Sequence, residues 1–156
     1  MLPFKKILCP TDFSEPSYGA LRAANELALH FSGELCLVHV ISKLPMALAS
    51  AFPDSPGATG GFTLASYHQK LEAAAEKKLK EVAGKKVPQE LKVRFVVEDG
   101  NAANGITRVA EYERVDLIVI AAHGEAGWES PMLGSVAEAV LRLAPCPVLT
   151  IGVPPE

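Results

Sequence analysis

Several features that would announce a chemistry are missing from this chain of 156 residues. It has no Cys-x-x-Cys pair and no Cys or His at metal-ligand spacing, which argues against a zinc site, and no resident metal is expected. The Gly-x-Gly-x-x-Gly, His-Glu-x-x-His and Gly-x-Ser-x-Gly signatures are all absent. The segment from Gly100 to Thr107 nearly spells a P-loop, but Ile106 stands where the phosphate-reaching lysine belongs. Basic charge is not in excess: 15 Lys and Arg face 18 Asp and Glu, a formal net charge of −3. The chain therefore has no general attraction for nucleic acid or an anionic membrane, and a bound polyanion has to be held by local dipoles and N–H groups. No apolar run approaches the length of a membrane span. The start, from Met1 to Lys6, lacks the apolar segment that follows the lysines of a secretory signal. Cys9, Cys36 and Cys146 sit in or beside apolar runs and are expected to be reduced, buried thiols of a cytoplasmic protein.

What is present is an ordinary globular composition, 49% hydrophobic and 21% charged, in a length suited to one domain over 1–156. Ile7 to Cys9 reads as a short buried strand. Pro16 falls in the first turn of the helix that follows, where its missing N–H is harmless. Leu21, Ala24, Leu27, Ala28 and Phe31 repeat at helical spacing, and Gly33 is expected to stop that helix. Leu35 to Ile41 is a second strand. The proline- and glycine-rich stretch from Ser42 to Gly61 is expected to be a mobile loop. A helix from about Phe62 to Ala83 follows, with Leu64, Leu71, Ala75, Leu79 and Val82 on its buried face and Lys77, Lys78, Lys80, Lys85 and Lys86 on a solvated one. Lys92 to Val97 is a third strand and Asn101 to Arg114 a third helix. Asp116 to Ile120 is a fourth strand, and Val148 to Ile151 a fifth. This alternation predicts an α/β fold with a parallel sheet covered on both faces.

The most informative stretch joins the fourth strand to the last helix. It runs through Ala121-Ala-His-Gly124, nine residues from Glu125 to Leu133, and then Gly134-Ser135-Val136. That is longer than the usual strand-to-helix loop. Ser135 and Glu138 have the spacing of a capping box, so Ser135 is expected to cap the helix. A helix start offers unpaired N–H groups and a partial positive charge, and glycine lets a ligand approach the backbone closely. The combination suits an anion, most naturally phosphate. The alternative is that Gly134 and Ser135 do no more than cap a helix. Of the four histidines, His123 alone lies in this loop, and no partner that would orient it as a base is visible. His39 reads as a satisfied core residue, His68 as a surface one, and His30 lies near a helix end.

Over nearly its whole length the pattern resembles the universal stress protein family. The likeness is carried by Ile7-Leu-Cys-Pro-Thr-Asp12-Phe-Ser14, Leu37-Val-His-Val40, Asp116 to Gly124, Leu133 to Arg142 and Ala144-Pro-Cys-Pro-Val148. The ATP-binding branch of that family carries Gly-x2-Gly-x9-Gly-Ser/Thr. Here Gly124, Gly134 and Ser135 match it, and Ala121 replaces the first glycine. The resemblance implies a single open, Rossmann-like five-stranded parallel sheet in the order 3-2-1-4-5. The ligand crevice would then lie at the switch point between the first and fourth strands. It also implies a nucleotide-binding regulatory protein of the stress response, reading ATP or AMP/ADP with Mg²⁺. Pro10 would shape the crevice, and Asp12 and Val40 would meet the adenine or ribose end. Ile120 and Ala121 would line the middle, and Gly124, Gly134, Ser135 and Val136 would hold the phosphates. Catalysis is not expected beyond slow ATP hydrolysis. The other reading is a family member without nucleotide that acts through an unknown protein partner. The apolar strand Val148 to Ile151 would be a sheet edge and pair two copies into a homodimer. The methyl of Ala121 matters little if its φ is negative; a positive φ would cost on the order of 1 kcal/mol. Glu125 and Glu129 add negative charge to the loop.

Overall fold

A computed structural model describes residues 2–42, 64–124 and 132–152. The expected mobile loop from Ser42 to Gly61 (beyond Ser42 itself), the start of the second helix at Phe62, and both Glu125 and Glu129 lie outside the described residues. The element order is β1 (Lys6–Pro10), α1 (Glu15–His30), β2 (Glu34–Ile41), α2 (Leu64–Lys86), β3 (Val93–Asp99), α3 (Ala102–Tyr112), β4 (Leu117–Ala121), α4 (Ser135–Leu143) and β5 (Val148–Ile151). The strands form one sheet in the order β3-β2-β1-β4-β5, with every neighbour parallel. The expected architecture is therefore present.

Side chains of a strand alternate between faces, and here each face has its own cluster. Ile7, Cys9, Leu35, Leu37, Leu117, Val119 and Ala121 pack with α1 residues Ala20, Leu21, Ala24 and Ala28 and α2 residues Leu79, Val82 and Ala83. Leu8, Cys36, Val38, Ile118 and Ile120 pack on the other face with α3 residues Ala103, Ile106 and Val109 and α4 residues Ala137 and Val140. Central strands buried on both faces read as unbroken apolar runs, which is why Leu117 to Ala121 carries no polar residue. Among the described residues no helix is long and apolar enough to cross a membrane.

Two helix ends differ from expectation in an instructive way. Helix α1 stops in a Schellman arrangement: the N–H of Gly33 donates to the Ala28 carbonyl at 2.8 Å and that of Ser32 to the Leu29 carbonyl at 3.2 Å. The left-handed residue is Ser32, at φ 51°, and not Gly33. Gly33 is needed for space, because a Cβ there would lie 2.6 Å from the Lys5 carbonyl oxygen where the chain enters β2 beside β1. Helix α3 ends the same way on Arg114, at φ 54°, with Val115 N–H donating to the Ala110 carbonyl at 3.1 Å. Asn101 caps its start, Oδ1 accepting from the Asn104 N–H at 3.0 Å.

Charges gather at the N-terminal end of the sheet. Glu113 accepts from Lys6 Nζ at 3.0 Å and Arg94 Nε at 2.6 Å. Burial alone would raise its pKa, but these two hydrogen bonds outweigh that and hold it below the ordinary glutamate value. Asp116 Oδ2 accepts the Lys5 and Lys6 N–H groups at 2.9 and 2.8 Å, tying the entry of β4 to that of β1. Burial pushes the Cys9 and Cys36 thiols up to about 12, so both are unreactive at neutral pH. Cys146 departs from expectation: it is half-exposed, since it lies between two prolines on the surface turn into β5.

The α1–β2 turn gives neighbouring substitutions of opposite sign. Gly33→Ala should cost about 1–3 kcal/mol, because the Lys5 carbonyl cannot yield without moving β1. Ser32→Gly should gain about 0.5 kcal/mol, the relief of a left-handed Cβ less the extra freedom of the unfolded chain. Urea unfolding of the two variants checks both signs.

Candidate functional site

The crevice lies where the C-terminal ends of β1 and β4 part. The β1–β4 ladder covers two pairs, Ile7 with Leu117 and Leu8 with Ile118, whereas β1 stays paired with β2 as far as Pro10 with Val38. The Thr11 N–H donates toward β2, to the Val38 carbonyl at 2.8 Å. Alternation therefore turns the nitrogen of Pro10 toward β4, where it has no hydrogen to give. Beyond that point the chain leaves β1 through Thr11, Asp12 and Phe13.

Asp12 is exposed, and its carboxylate is oriented locally. Oδ1 accepts the Ser14 N–H at 3.0 Å and also the Ser14 hydroxyl. Oδ2 faces β4's exit, 3.3 Å from where a Cβ on Gly124 would be. Beneath Asp12 lies a buried hydroxyl pair, Thr11 Oγ1 and Ser17 Oγ at 2.8 Å, and Thr11 Oγ1 also accepts the Phe13 N–H at 3.0 Å. The Ser17 hydroxyl is spoken for as well, donating to the Ser14 carbonyl at 2.7 Å. Two segments about 110 residues apart thus form opposite walls of one crevice, with Gly124 leaving room for the carboxylate.

Gly134 closes the lower side. Its N–H donates to the Ala122 carbonyl at 2.7 Å, and a Cβ would lie 3.0 Å from that same oxygen. The glycine is required for this approach and not for its backbone angle, since φ is −60°. Gly134 is itself the N-cap of α4, and among the described residues no side-chain hydrogen bond caps the helix. Ser135 is therefore the first helical residue, and the expected Ser135–Glu138 capping box does not form. The reason is geometric: the tether to Ala122 starts the helix one residue early, so the cap position falls on a residue with no side chain. The amides of Ser135, Val136 and Ala137 lack intrahelical acceptors by position in the first turn, and Ser135 and Val136 are exposed.

The other expected residues sort by face. Ile120 belongs to the cluster covered by α3 and α4, Val40 packs against it, and alternation puts Pro10 on the same side. Val40 lies on β2, against α3: a Cβ on Gly105 would be 3.0 Å from its Cγ2. No described contact joins Val40 to Asp12. Ala121 has no positive φ, pairs with Ile151 in β5, and turns its methyl into the opposite cluster, beside α1. The alanine in place of the family's first glycine is accordingly housed in the core, away from the Ile120 face. His123 is half-buried at the lip of the crevice.

Sequence reasoning missed three contributors. Gly105 lies in the failed P-loop pattern, and its role is to let α3 close on Val40. His39 is half-buried, not a core residue, and its Nδ1 donates to the Thr11 carbonyl at 2.8 Å, which fixes the tautomer. Phe13 adopts φ 64°, a left-handed conformation that no local sequence signal announces.

Residues 3–152 match the universal stress protein family. The chain is 37% identical over 153 residues to universal stress protein MJ0531 of Methanocaldococcus jannaschii, covering 97% of this chain and 84% of that one. It is 32% identical over 156 residues to universal stress protein MJ0577 of the same organism, covering 95% and 94%. The solved structure of MJ0577 superposes with a TM-score of 0.77 over 98% of this chain and 99% of that one, at 28% identity in the structural alignment. A universal stress protein from Archaeoglobus fulgidus, solved in complex with dAMP, shares the fold at a TM-score of 0.54 and 17% identity, over 97% and 99% of the two chains.

The corrected helix start changes what one substitution should do. Ser135→Ala removes no cap, so thermal stability without ligand should stay within about 0.5 kcal/mol of the parent, as for a surface change away from special features. A loss of about 1 kcal/mol in a denaturant titration would restore Ser135 as a cap.

Proposed function

This chain belongs to the universal stress protein family, and on that premise we propose that it is a nucleotide-binding regulatory protein whose ligand lies in the β1–β4 crevice. One observation carries the reading: the Asp12 carboxylate faces Gly124 across the switch point, so close that a Cβ on Gly124 would lie 3.3 Å from Oδ2, above a helix start that no described side chain caps. In open parallel sheets ligands bind at this point. The Asp12 carboxylate is an acceptor for ribose hydroxyls or an exocyclic amine. The amides of Gly124, Ser135 and Val136 and the Ser135 hydroxyl are donors for phosphate oxygens. Pro10, Val40 and Ile120 supply the apolar frame, and Ala121 contributes backbone only, its methyl being turned to the other face. The dAMP complex of the Archaeoglobus fulgidus protein and a cAMP complex of another universal stress protein support a nucleotide of this class.

ATP, or AMP/ADP, fits the donor set, and a Mg²⁺ ion would come with the phosphates, because hard oxygen donors at the described crevice are few: Asp12 and Ser135. The role is binding and signalling: among the described crevice residues no lysine is placed for phosphoryl transfer, and His123 at the lip has no described partner that would orient it as a base. Two copies would pair through β5, the sheet edge, where Leu149 is 40% exposed; Leu141 and Leu143 of α4 add exposed apolar surface nearby. Light scattering at micromolar concentration should give the mass of a dimer; a monomer would remove this part of the reading.

Mg-ATP at about 100 times Kd should stabilise the fold by about 2.7 kcal/mol and raise Tm by about 5–10 °C. Asp12→Ala should reduce the shift at fixed ligand. Ser135→Ala should also reduce it, now as a clean test, because the hydroxyl caps nothing. Gly134→Val is the poorer test, since any Cβ there already crowds the Ala122 carbonyl. If saturating Mg-ATP leaves Tm and the calorimetric baseline unmoved, the nucleotide reading fails and the partner-binding one replaces it.

A further inference from the structure

Asp12 is flanked by a conformation that the chain would not adopt unaided. Phe13 follows it at φ 64°, where a bulky side chain is rare and costly. The surroundings hold it there from three directions. Its N–H donates to the buried Thr11 Oγ1 at 3.0 Å. Its ring lies 4.6 Å from the His39 ring, tilted by 39°. On α2, the exposed Lys78 places Nζ 4.4 Å from the centre of the Phe13 ring. His39 is itself anchored, through Nδ1, to the Thr11 carbonyl. Thr11 and Phe13 are thus both gripped from β2 and α2, and the residue between them, Asp12, has its carboxylate turned to Gly124.

We propose that Phe13, clamped between His39 and Lys78, is the positioning residue that presents Asp12 to the ligand, so that α2, through Lys78, helps set nucleotide affinity from outside the crevice. The proposal rests on the nucleotide reading of the crevice. Its physical content is preorganisation: a carboxylate already aimed does not lose its rotational freedom on binding. A cation held over an aromatic face contributes modestly at an exposed position, so α2 adjusts the site and does not switch it. Lys78 is one of five lysines on this part of α2; Lys86 lies over the Tyr18 ring of α1, its Nζ 4.5 Å from the ring centre. Lys80 pairs within the helix, with Glu76 at 3.0 Å. Lys78 is the one whose charge reaches the β1–α1 turn.

The test has a ligand-free arm and a ligand arm, run on Phe13→Gly, Phe13→Tyr and Lys78→Met. Glycine accepts φ 64° but has no ring, tyrosine keeps the ring, and methionine keeps the stem of Lys78 without its charge. Without ligand, the readout is amide hydrogen exchange at Ser14, whose N–H is held by Asp12 Oδ1, against Val119 in the core as the reference. Exchange at Ser14 should accelerate in Phe13→Gly with Val119 unchanged, and Phe13→Tyr should restore the parent rate. Equal acceleration at both amides would mean that Phe13 is only structural, and no change at Ser14 would mean that Asp12 is aimed without it; either overturns the proposal. With Mg-ATP in a calorimeter, Phe13→Gly should weaken binding about tenfold, the cost of ordering one side chain. Lys78→Met should weaken it about two- to five-fold, and Phe13→Tyr should bind as the parent does. Parent-like affinity in both Phe13→Gly and Lys78→Met overturns the proposal. If the parent protein binds no ATP, the nucleotide reading fails separately, and the exchange arm still decides whether Phe13 aims Asp12.

Discussion

Between β1 and β4 the parallel ladder covers two residue pairs and then lacks a donor, because the nitrogen of Pro10 faces β4 and carries no hydrogen. The two central strands separate from that point. Beyond the last rung, β1 delivers Asp12 and β4 delivers Gly124, and the gap between them is the crevice. Had the pairing continued, the two exits would close on each other. The lower side is fixed by the Gly134 N–H on the Ala122 carbonyl, which brings α4 up beneath the exit of β4 and leaves its first amides without a side-chain cap among the described residues. Missing groups therefore define the site: a proline without a hydrogen, a glycine that makes room for a carboxylate, and an N-cap without a side chain.

The opposite end of the sheet is built on the contrary rule. There Glu113, Lys6, Arg94 and Glu34 meet in ion pairs, and Asp116 fastens β4 to β1 through two backbone N–H groups. Arg94 is exposed and Lys6 partly so, which limits what each pair contributes, but the Asp116 bonds hold the two strands in register at one end while they diverge at the other. Structural satisfaction and functional availability are separated along the strand axis, as expected for a parallel sheet whose ligands bind at the carboxyl ends.

Much of the architecture was legible in the sequence because strand and helix periods are local. The apolar run Leu117 to Ala121 and the helical spacing of Leu21, Ala24 and Ala28 each declare their element without help from the rest of the chain. The pairing of Asp12 with Gly124 was not legible from spacing; it depends on strand order, which came from the family resemblance. Helix ends were read less well. By sequence Gly33 is the obvious left-handed stop, yet Ser32 takes that conformation and Gly33 serves a contact with Lys5 that only the folded sheet creates. Ser135 looked like a cap by its spacing to Glu138, and the tether to Ala122 overrode it. The twist at Phe13 had no signal at all, because its stabilising partners, His39 and Lys78, come from elements far along the chain. The effect of Ala121 turned on whether φ was positive, and its place in β4 answers that.

The proposed place of nucleotide entry is the parting of β1 and β4. Amide chemical shifts recorded during a Mg-ATP titration test it most directly, because they locate the ligand as well as detect it. Asp12, Phe13, Gly124, Ser135 and Val136 should shift together and saturate at one ligand concentration, while Glu34, Glu113 and Asp116 at the far end stay still. Shifts centred on the far end, on the α2 surface away from Phe13, or on no residue at all would contradict it.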